Sequence, residues 1–507
     1  MPLTPDEAKA KVDDLYQRLT SRRREVETLE GYFKGQQPLV YASPEWAEVH
    51  RNRYSNFSDN WCGVVGSAPG ERTEVTGFRI GDDADPMSDD EKVLWGDWEA
   101  NELPAQASQG FLTATIAKRS AVIVWGDDND EPDVSWEHPG QVIVDYDPSS
   151  PRRRVAALKA WLDGDRELAT LYTADEVWKF QRPASSASVT RDGRTASGLM
   201  VVSTSSQFTS GGNGGWAKRE ATGDDEWPLG NPLGVVPVVE FRNRPMLGGE
   251  PLSDIAGTVA MQDAVNLLWA YLFTAADFAS MPARVVMGQE PPKVPILDEN
   301  GQKIGEQPVD SKKLTQGRML WLTGQTTSIG QWDAAKLDVF TEVINVAVKH
   351  IASQTKTPIH YIVGDLGNVN GETLVATETP LAMKVREAHK FYQAPIREVF
   401  RLMALVRGND SVAAACRSGV VQWRDPETRS MAQVSDAALK DRQIGWPFAA
   451  ILERRYGLDQ TAIGRIIEMR AAESTDPTLE RIARDLTGAG SGDMMTGGMG
   501  GSAPRGA

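Results

Sequence analysis

The stretch from Thr355 to Leu374, TKTPIHYIVGDLGNVNGETL, contains the side-chain types that metal, phosphate and acid–base sites use. A calcium loop of the EF-hand type needs oxygen ligands at positions 1, 3, 5 and 12 around a glycine at position 6. With Gly371 as that glycine, Leu366 falls at position 1 and Thr377 at position 12, so the pattern fails. The stretch therefore does not encode a calcium loop of this kind.

Other signatures of catalysis are also missing from the sequence. The five histidines form no HExxH and the two cysteines no CxxC, which argues against a zinc site. TGQTTS at 323–328 lacks the lysine of a phosphate-binding loop, and Ser353 with Lys356 matches SxxK without its companion motifs. We therefore predict no catalytic residues, no metal and no cofactor, and a chain that is not an enzyme.

Isolated polar residues on predicted helices have structural interpretations. His350 and His389 lie beside apolar neighbours, which predicts packed or half-exposed imidazoles. Asp263 and Asp277 are expected to face a partner subunit or solvent.

The polar stretch is better explained by conformation. Thr357 precedes Pro358 and so avoids the α region, which ends the preceding helix. Glycines give the backbone freedom, and Thr373 begins another helix. The sequence predicts a loop with few anchors between two helices, either a plain connection or a functional loop.

Two helical patterns bracket this loop. Residues 336–355 carry one apolar stripe and one polar stripe, and a longer apolar repeat extends over 373–406. Pro380 and Pro395 are expected to kink the second helix, because each removes a backbone donor. The first stripe consists of Leu337, Phe340, Ile344, Ala347, Val348 and Ile351.

The amino-terminal segment is predicted to be a helix. Thr4 can cap it, Pro5 suits its first position, and Glu7 completes a capping box. Apolar residues then recur on one face from Val12 to Phe33. The basic run RRR at 22–24 predicts a solvated face, with phosphate binding as the alternative.

The rest of the chain mixes strands and helices, which predicts an α+β fold. Five strands are expected between residues 115 and 182, followed by a mobile surface insertion. The remaining expectations are the insertion at 184–226, a strand within 232–245, a mostly apolar helix capped by Ser253 at 253–280, strands at 284–288 and 317–324, helices within 431–487 and a disordered tail at 488–507.

Composition limits the classes of function. The net charge of −16 argues against a protein that grips nucleic acid by neutralising its phosphates, although DNA could pass through without being held. Cys62 and Cys416 predict no disulfide framework and a reducing compartment. The start of the chain does not resemble a signal peptide, and the apolar run at 264–273 is shorter than the ~20 residues that span a bilayer.

Three segments together carry a family resemblance. They are LEGYFKGQQPLVYA at 29–42, the helix and strand at 253–288, and the segment 351–403 with the pattern TP.HY…N..GE.L…E.PL..K. The order resembles the portal, or head-to-tail connector, proteins of tailed double-stranded-DNA bacteriophages, over most of residues 1 to 480. The chain departs from the family at Asn370, where serine is common, and in the insertion.

The resemblance implies a portal fold with an α/β wing, a two-helix stem, a small α/β clip and a helical crown. In chain order the parts are the wing at 1–252 with its flexible insertion at 184–226, the first stem helix at 253–280, the clip at 281–330, the second stem helix at 331–355, the tunnel loop at 356–372, the long kinked helix and wing return at 373–430, the crown or C-terminal region at 431–487 and the tail at 488–507.

The resemblance also implies a function. Portal proteins form a ring, expected here to be a dodecamer, at one capsid vertex through which double-stranded DNA is packaged and ejected. The expected partners are the terminase large subunit of the packaging motor, major capsid and scaffolding proteins and head-completion or neck adaptor proteins, with no membrane. The expected location is the virion, and the host cytoplasm during assembly.

The residues expected at the DNA channel lie in or beside the predicted tunnel loop. Two other classes remain open, namely another structural head or neck protein, and a hydrolase with an unrecognised site. The channel residues implied by the resemblance are Lys349, Lys356, His360, Gly364, Asp365, Gly367, Asn368, Asn370 and Gly371.

Overall fold

The computed structural model mixes helices and sheets, which confirms the α+β class. The residues that it describes are 2–37, 58–81, 87–184, 215–219, 226–280, 284–287, 293–297, 302–308, 319–322, 337–364, 371–427 and 430–475. Its helices are α1 (Pro5–Phe33), α2 (Trp61–Gly70), α3 (Asp89–Ala100), α4 (Leu103–Ala117), α5 (Val259–Ser280), α6 (Asp338–Thr355), α7 (Ile359–Val363), α8 (Gly371–Val406), α9 (Asp410–Cys416), α10 (Met431–Gln443), α11 (Phe448–Tyr456) and α12 (Gln460–Thr475).

The strands form small sheets and one large sheet. The strands are β1 (Val75–Arg79), β2 (Arg119–Gly126), β3 (Pro132–Glu137), β4 (Val142–Asp147), β5 (Ser150–Asp163), β6 (Arg166–Tyr172), β7 (Glu176–Pro183), β8 (Ala217–Lys218), β9 (Leu229–Gly230), β10 (Val238–Arg242), β11 (Arg284–Met287), β12 (Lys293–Leu297), β13 (Lys303–Pro308), β14 (Met319–Leu322) and β15 (Val420–Trp423). A six-stranded antiparallel sheet has the order β4-β5-β6-β7-β8 with β9 also on β7, and a second sheet has the order β10-β2-β3.

Helix α1 begins as the sequence predicts. Thr4 caps it, and the reciprocal hydrogen bonds between Thr4 and Glu7 complete the capping box. Its apolar face, including Val12, Leu15 and Leu19, is buried against the six-stranded sheet. Burying such a stripe removes apolar surface from water and is the main force that holds the helix on the sheet.

The basic run in α1 is only partly a solvated face, since Arg24 alone of its three arginines is exposed. Arg23 is buried and donates to the carbonyl of Gly140 at 2.6 Å, while Arg22 lies 3.7 Å from the Glu240 carboxylate. Burial, together with neighbouring Arg119, lowers the pKa of Arg22 to about 10. The solvated-face prediction is therefore wrong for Arg23, because the sheet supplies carbonyl and carboxylate acceptors that the helix sequence does not reveal.

Two expectations for the β-rich region also need correction. The predicted strand from residue 115 begins only at Arg119, because helix α4 extends to Ala117, and strand β3 was not predicted. Most of the expected insertion, 185–214 and 220–225, lies outside the described residues. Its described part is anchored, since Trp216 is buried and the Arg182 guanidinium lies 4.1 Å from the centre of its ring. Strand β10 confirms the strand expected within 232–245.

The largest hydrophobic core joins segments that are far apart in sequence. Phe400 of α8 stacks on Phe78 of β1, with ring centres 4.1 Å apart, and on Trp98 of α3 at 5.2 Å. Strand β1 pairs antiparallel with β15. Because α8 packs on α3 and on β2, β10 and β15, this helix organises the core.

Helices α5 and α6 contribute to a separate hydrophobic cluster, which includes Val265 and Ile344. Helix α5 begins at Val259, after a short 3₁₀ turn, and not at 253 as expected; Ser253 Oγ instead accepts from the amides of Ile255 and Ala256. Strands β11 and β14 pair in parallel at the predicted places. Between them, β12 and β13 form an antiparallel pair that the sequence did not predict.

Several smaller expectations are settled by the described residues. Asp263 is buried and accepts from the Tyr32 hydroxyl at 2.9 Å, so it faces its own chain and not a partner or solvent. The structure does not describe the side chain of Asp277. Cys62 and Cys416 are free and buried. In the described part of the chain, no helix combines the length and apolar character needed to cross a bilayer.

Helices at the carboxyl-terminal end follow the expectations as far as they are described. α8 extends through Pro380 and Pro395, and its kinks stay a prediction. α10, α11 and α12 confirm the expected helices up to Thr475. The remainder of 431–487 and the tail at 488–507 lie outside the described residues.

Candidate functional site

The carboxyl-terminal end of helix α6 is capped by its own backbone. Its buried face, which includes Ile344, Val348 and Ile351, confirms the predicted apolar stripe. Lys356 follows the helix with a left-handed φ of 58°, and the Thr357 amide donates back to the Ala352 carbonyl at 3.0 Å. Such 6→1 bonding with a left-handed residue is a common way to satisfy the last helical carbonyls.

The predicted loop contains a short helix. α7 occupies Ile359–Val363 and ends at Gly364, whose φ of 70° suits a residue without a side chain. Thr357 and Ile362 are buried, so the expectation of a segment with few anchors is wrong up to residue 363. Residues 365–370, which include Asp365, Gly367, Asn368 and Asn370, lie outside the described residues, and Gly371 is the first residue of α8.

Charged residues fasten α7 to its neighbours. Glu378 of α8 accepts from Arg72 at 3.1 Å, and its other oxygen lies 3.5 Å from Nε2 of His360. Arg72 also donates to the Tyr361 hydroxyl and, at 2.9 Å, to the carbonyl of Pro426. The side chain of His360 is only 13% exposed, so its imidazole faces this carboxylate and not open solvent.

A cleft of about 480 Å³ opens beside this junction. Lys349 and Lys356 are both exposed, and no ion pair to another described residue occupies either ammonium group. A concave surface that carries two free cations can attract an anion such as a phosphodiester. The cleft is lined by Lys349, Ala352, Ser353, Lys356, Thr357, Pro358, Ile359, Thr377 and Pro380.

A buried polar junction lies behind the end of α6, and the sequence prediction did not include it. Lys384 of α8 donates to the Asp254 carboxylate at 2.8 Å and to the Thr355 carbonyl at 3.1 Å. Asp254 also accepts from the Asn243 amide at 3.1 Å. One sequence feature could have indicated this junction, namely a lysine three residues after Leu381 on the apolar stripe of the predicted helix.

The histidines and cysteines form no chemical centre in the described part of the chain. His389 stacks on Trp423, with ring centres 4.4 Å apart, as expected for a packed histidine, and His350 is exposed. Burial raises the pKa of Cys62 to about 11 and that of Cys416 to about 12, which favours the unreactive thiols. No group of three or more metal-ligating side chains occurs among these residues.

Comparison with known proteins defines the class. The family model described as phage portal protein, SPP1 Gp6-like, matches residues 13–447, so the chain belongs to the phage portal protein family. This is a structural family, and its members form the channel for DNA at the portal vertex of the capsid. The resemblance seen in the sequence is thereby confirmed, and the chain is a component of the phage virion.

Individual relatives agree with the family. The portal protein of Mycobacterium phage D29 is 28% identical over 379 residues, which cover 73% of this chain and 69% of the relative. The portal protein of Mycobacterium phage L5 is 28% identical over 389 residues, with the same coverage. A solved structure, the neck of a native GTA particle computed with C12 symmetry, covers 82% of this chain and 93% of its own, at 10% identity and a TM-score of 0.36. A likeness that weak adds nothing to the family match.

Proposed function

We propose that twelve copies of this chain form the ring at the portal vertex, and that the cleft beside α6 belongs to the wall of the DNA channel. The observation that carries this assignment is the pair Lys349 and Lys356, two exposed cations without a described ion-pair partner in one cleft. The assignment of the tunnel loop, residues 356–372, to the same wall rests on the family resemblance. His360 contributes by holding α7 to Glu378, and its side chain is less accessible than those of Lys349 and Lys356.

The charge balance suits a channel that lets DNA slide. Tight binding to DNA requires many Lys and Arg contacts, each of which releases counterions. This chain has a net charge of −16, and the cleft offers only two lysines. Because screening limits such contacts to about 8 Å at physiological ionic strength, each phosphate is held only while it passes the cleft.

The remaining assignments follow the family map. We place the wing in residues 1–252, the stem in α5 and α6, the clip between them and the crown after residue 431. The clip would meet the packaging motor, which contains the terminase large subunit, and later the neck adaptors. Capsid and scaffolding proteins would surround the ring during assembly in the host cytoplasm. In this proposal the chain is a conduit and a docking platform, and the motor supplies the catalysis.

The test of the cleft is the double variant K349A/K356A in a DNA-packaging reaction with assembled rings. Its matched control is K92A/K440A, which removes the same charge from lysines that are 60% and 68% exposed and paired with local acids. We expect the cleft variant to package DNA several-fold more slowly, with the deficit growing as salt is lowered, and the control to behave like wild type.

Electron microscopy of the same preparations separates assembly from transport. Rings with a central hole are expected for all three proteins, because neither lysine of the cleft is buried. Normal packaging by intact K349A/K356A rings would refute the role of the cleft. A monomer or compact dimer that also failed to assemble with capsid and scaffolding proteins would count against the ring itself.

A further inference from the structure

The buried junction around Lys384 joins four parts of the chain. Lys384 contacts the Thr355 carbonyl at the end of α6 and Asp254 just before α5. Tyr392, two helical turns along α8, donates to the Asn243 side chain at 3.2 Å. Asn243 follows β10 and binds Asp254, so the wing, both ends of the α5–α6 segment and α8 meet at one polar network.

Burial and charge pairing hold this network in one arrangement. The Lys384 side chain is 7% exposed and that of Asp254 is 4% exposed, and a buried charge is tolerated only when it is paired and hydrogen-bonded. The Asp254 backbone amide also donates to the Thr115 carbonyl at 3.0 Å, and this bond holds the backbone that carries the carboxylate in place. If Asp254 or Thr355 moved away, the buried ammonium group would lose one of its two described partners.

The position of Thr355 connects this network to the cleft. Lys356 is the next residue, and the Thr355 hydroxyl donates to the Ile351 carbonyl at 2.8 Å and is hydrogen-bonded to the Thr357 hydroxyl at 2.9 Å. The last turn of α6 and the turn that presents Lys356 therefore form one hydrogen-bonded unit. Lys384 ties the Thr355 carbonyl to Asp254, in the segment just before α5, through a charge pair.

We propose that Lys384 is a positioning residue that sets the width of the cleft by locking the end of α6 to Asp254. The lock also transmits movement at the start of α5 to Lys349 and Lys356. Only the use of the cleft in DNA transport rests on the function proposed above. The mechanical link between the two segments is a separate claim and can be tested without DNA.

The test measures the cleft directly. Ser353 and Thr377 line the cleft on α6 and α8, and S353C and T377C would carry spin labels for pulsed electron paramagnetic resonance. The two natural cysteines are buried and would stay unlabelled. Dilution of the labelled chain with unlabelled chain removes distances between subunits. We expect K384M and D254N each to broaden the distance distribution about twofold, since removing a fixed contact admits more conformations.

Controls distinguish positioning from general loss of stability. K390M alters an exposed lysine on the same helix and should leave the distribution unchanged. K384R retains the positive charge, so its distance distribution should be almost as narrow as that of the wild type. Hydrogen exchange should accelerate about tenfold at the Thr357 amide in K384M, while the core strands keep their protection.

An unchanged distance distribution in both K384M and D254N would overturn the proposal. If K384M fails to fold, D254N decides the question, because asparagine preserves the shape and one acceptor of the aspartate. Equal broadening in K390M would also overturn it. These results are independent of packaging, so the positioning role and the DNA role of the cleft can fail separately.

Discussion

His389 makes the stability of the main core sensitive to acid. Its imidazole extends from α8 onto Trp423 and is 8% exposed, and its Nε2 has no hydrogen-bond partner among the residues that the structure describes. Burial disfavours the charged ring and lowers its pKa from 6.5 to about 4. That pKa includes a smaller lowering by nearby Arg386 and an opposing effect of Asp425.

The size and sign of the effect follow from this pKa. Between pH 6.5 and pH 4 the unfolded chain binds a proton that the folded chain excludes. The free energy of unfolding therefore falls as the pH falls through 6.5, and this loss levels off near pH 4. A shift of that size corresponds to about 3 kcal/mol, because one pKa unit is worth about 1.4 kcal/mol.

The variants H389F and H389Q both remove the titration. Phenylalanine keeps the stack on Trp423, whereas glutamine keeps a polar group, so the two differ in stability at pH 8 but share the predicted pH dependence. The unfolding free energy is measured by urea denaturation followed by circular dichroism. When the pH is lowered from 7.5 to 4, we expect wild type to lose about 3 kcal/mol more of this free energy than either variant loses. Parallel curves for wild type and both variants would refute a buried, neutral His389.

Two further predictions concern the first helix and the cysteines. T4A removes the Thr4 hydroxyl that accepts from the Glu7 amide, while the amide of residue 4 can still donate to the Glu7 carboxylate. The loss should cost about 1 kcal/mol of stability in the unit that contains α1, whereas T4S should retain most of that stability; equal midpoints of urea unfolding for the two variants would contradict the cap. Cys62 and Cys416 should resist an aromatic disulfide reagent at pH 8 in the folded protein and react fully in urea, because both are buried with raised pKa values. Stoichiometric labelling of the folded protein would show that these sites open readily.

Features encoded by neighbouring residues could be predicted from the sequence. The capping box spans only Thr4 to Glu7, and the apolar stripe of α6 repeats within a few turns, so both were predicted correctly. Thr357 and Pro358 likewise mark the end of α6. Each of these signals involves residues that lie within about one to five helical turns of one another, so a single sequence is enough to reveal it.

Contacts between distant residues could not be predicted in this way. Arg72 meets Glu378 across 306 positions, and the two residues anchor α7 within the expected loop through Tyr361 and His360. Lys384 meets Thr355 only because α6 and α8 pack together. Glycine and polar content indicated mobility, but tertiary contacts override such local preferences.

The pairing of β1 with β15 has a consequence for synthesis of the protein. Trp423 follows Arg79 by about 340 residues, so the partner of β1 leaves the ribosome about 17–70 s after β1 itself at ordinary elongation rates. During that interval Phe78 and the edge of β1 lack the surfaces that cover them in the finished core. An unpaired strand edge is a site of aggregation, so the nascent chain is most vulnerable before α8 and β15 emerge. Slower translation of the segment between the strands should therefore lower the yield of correctly folded subunits.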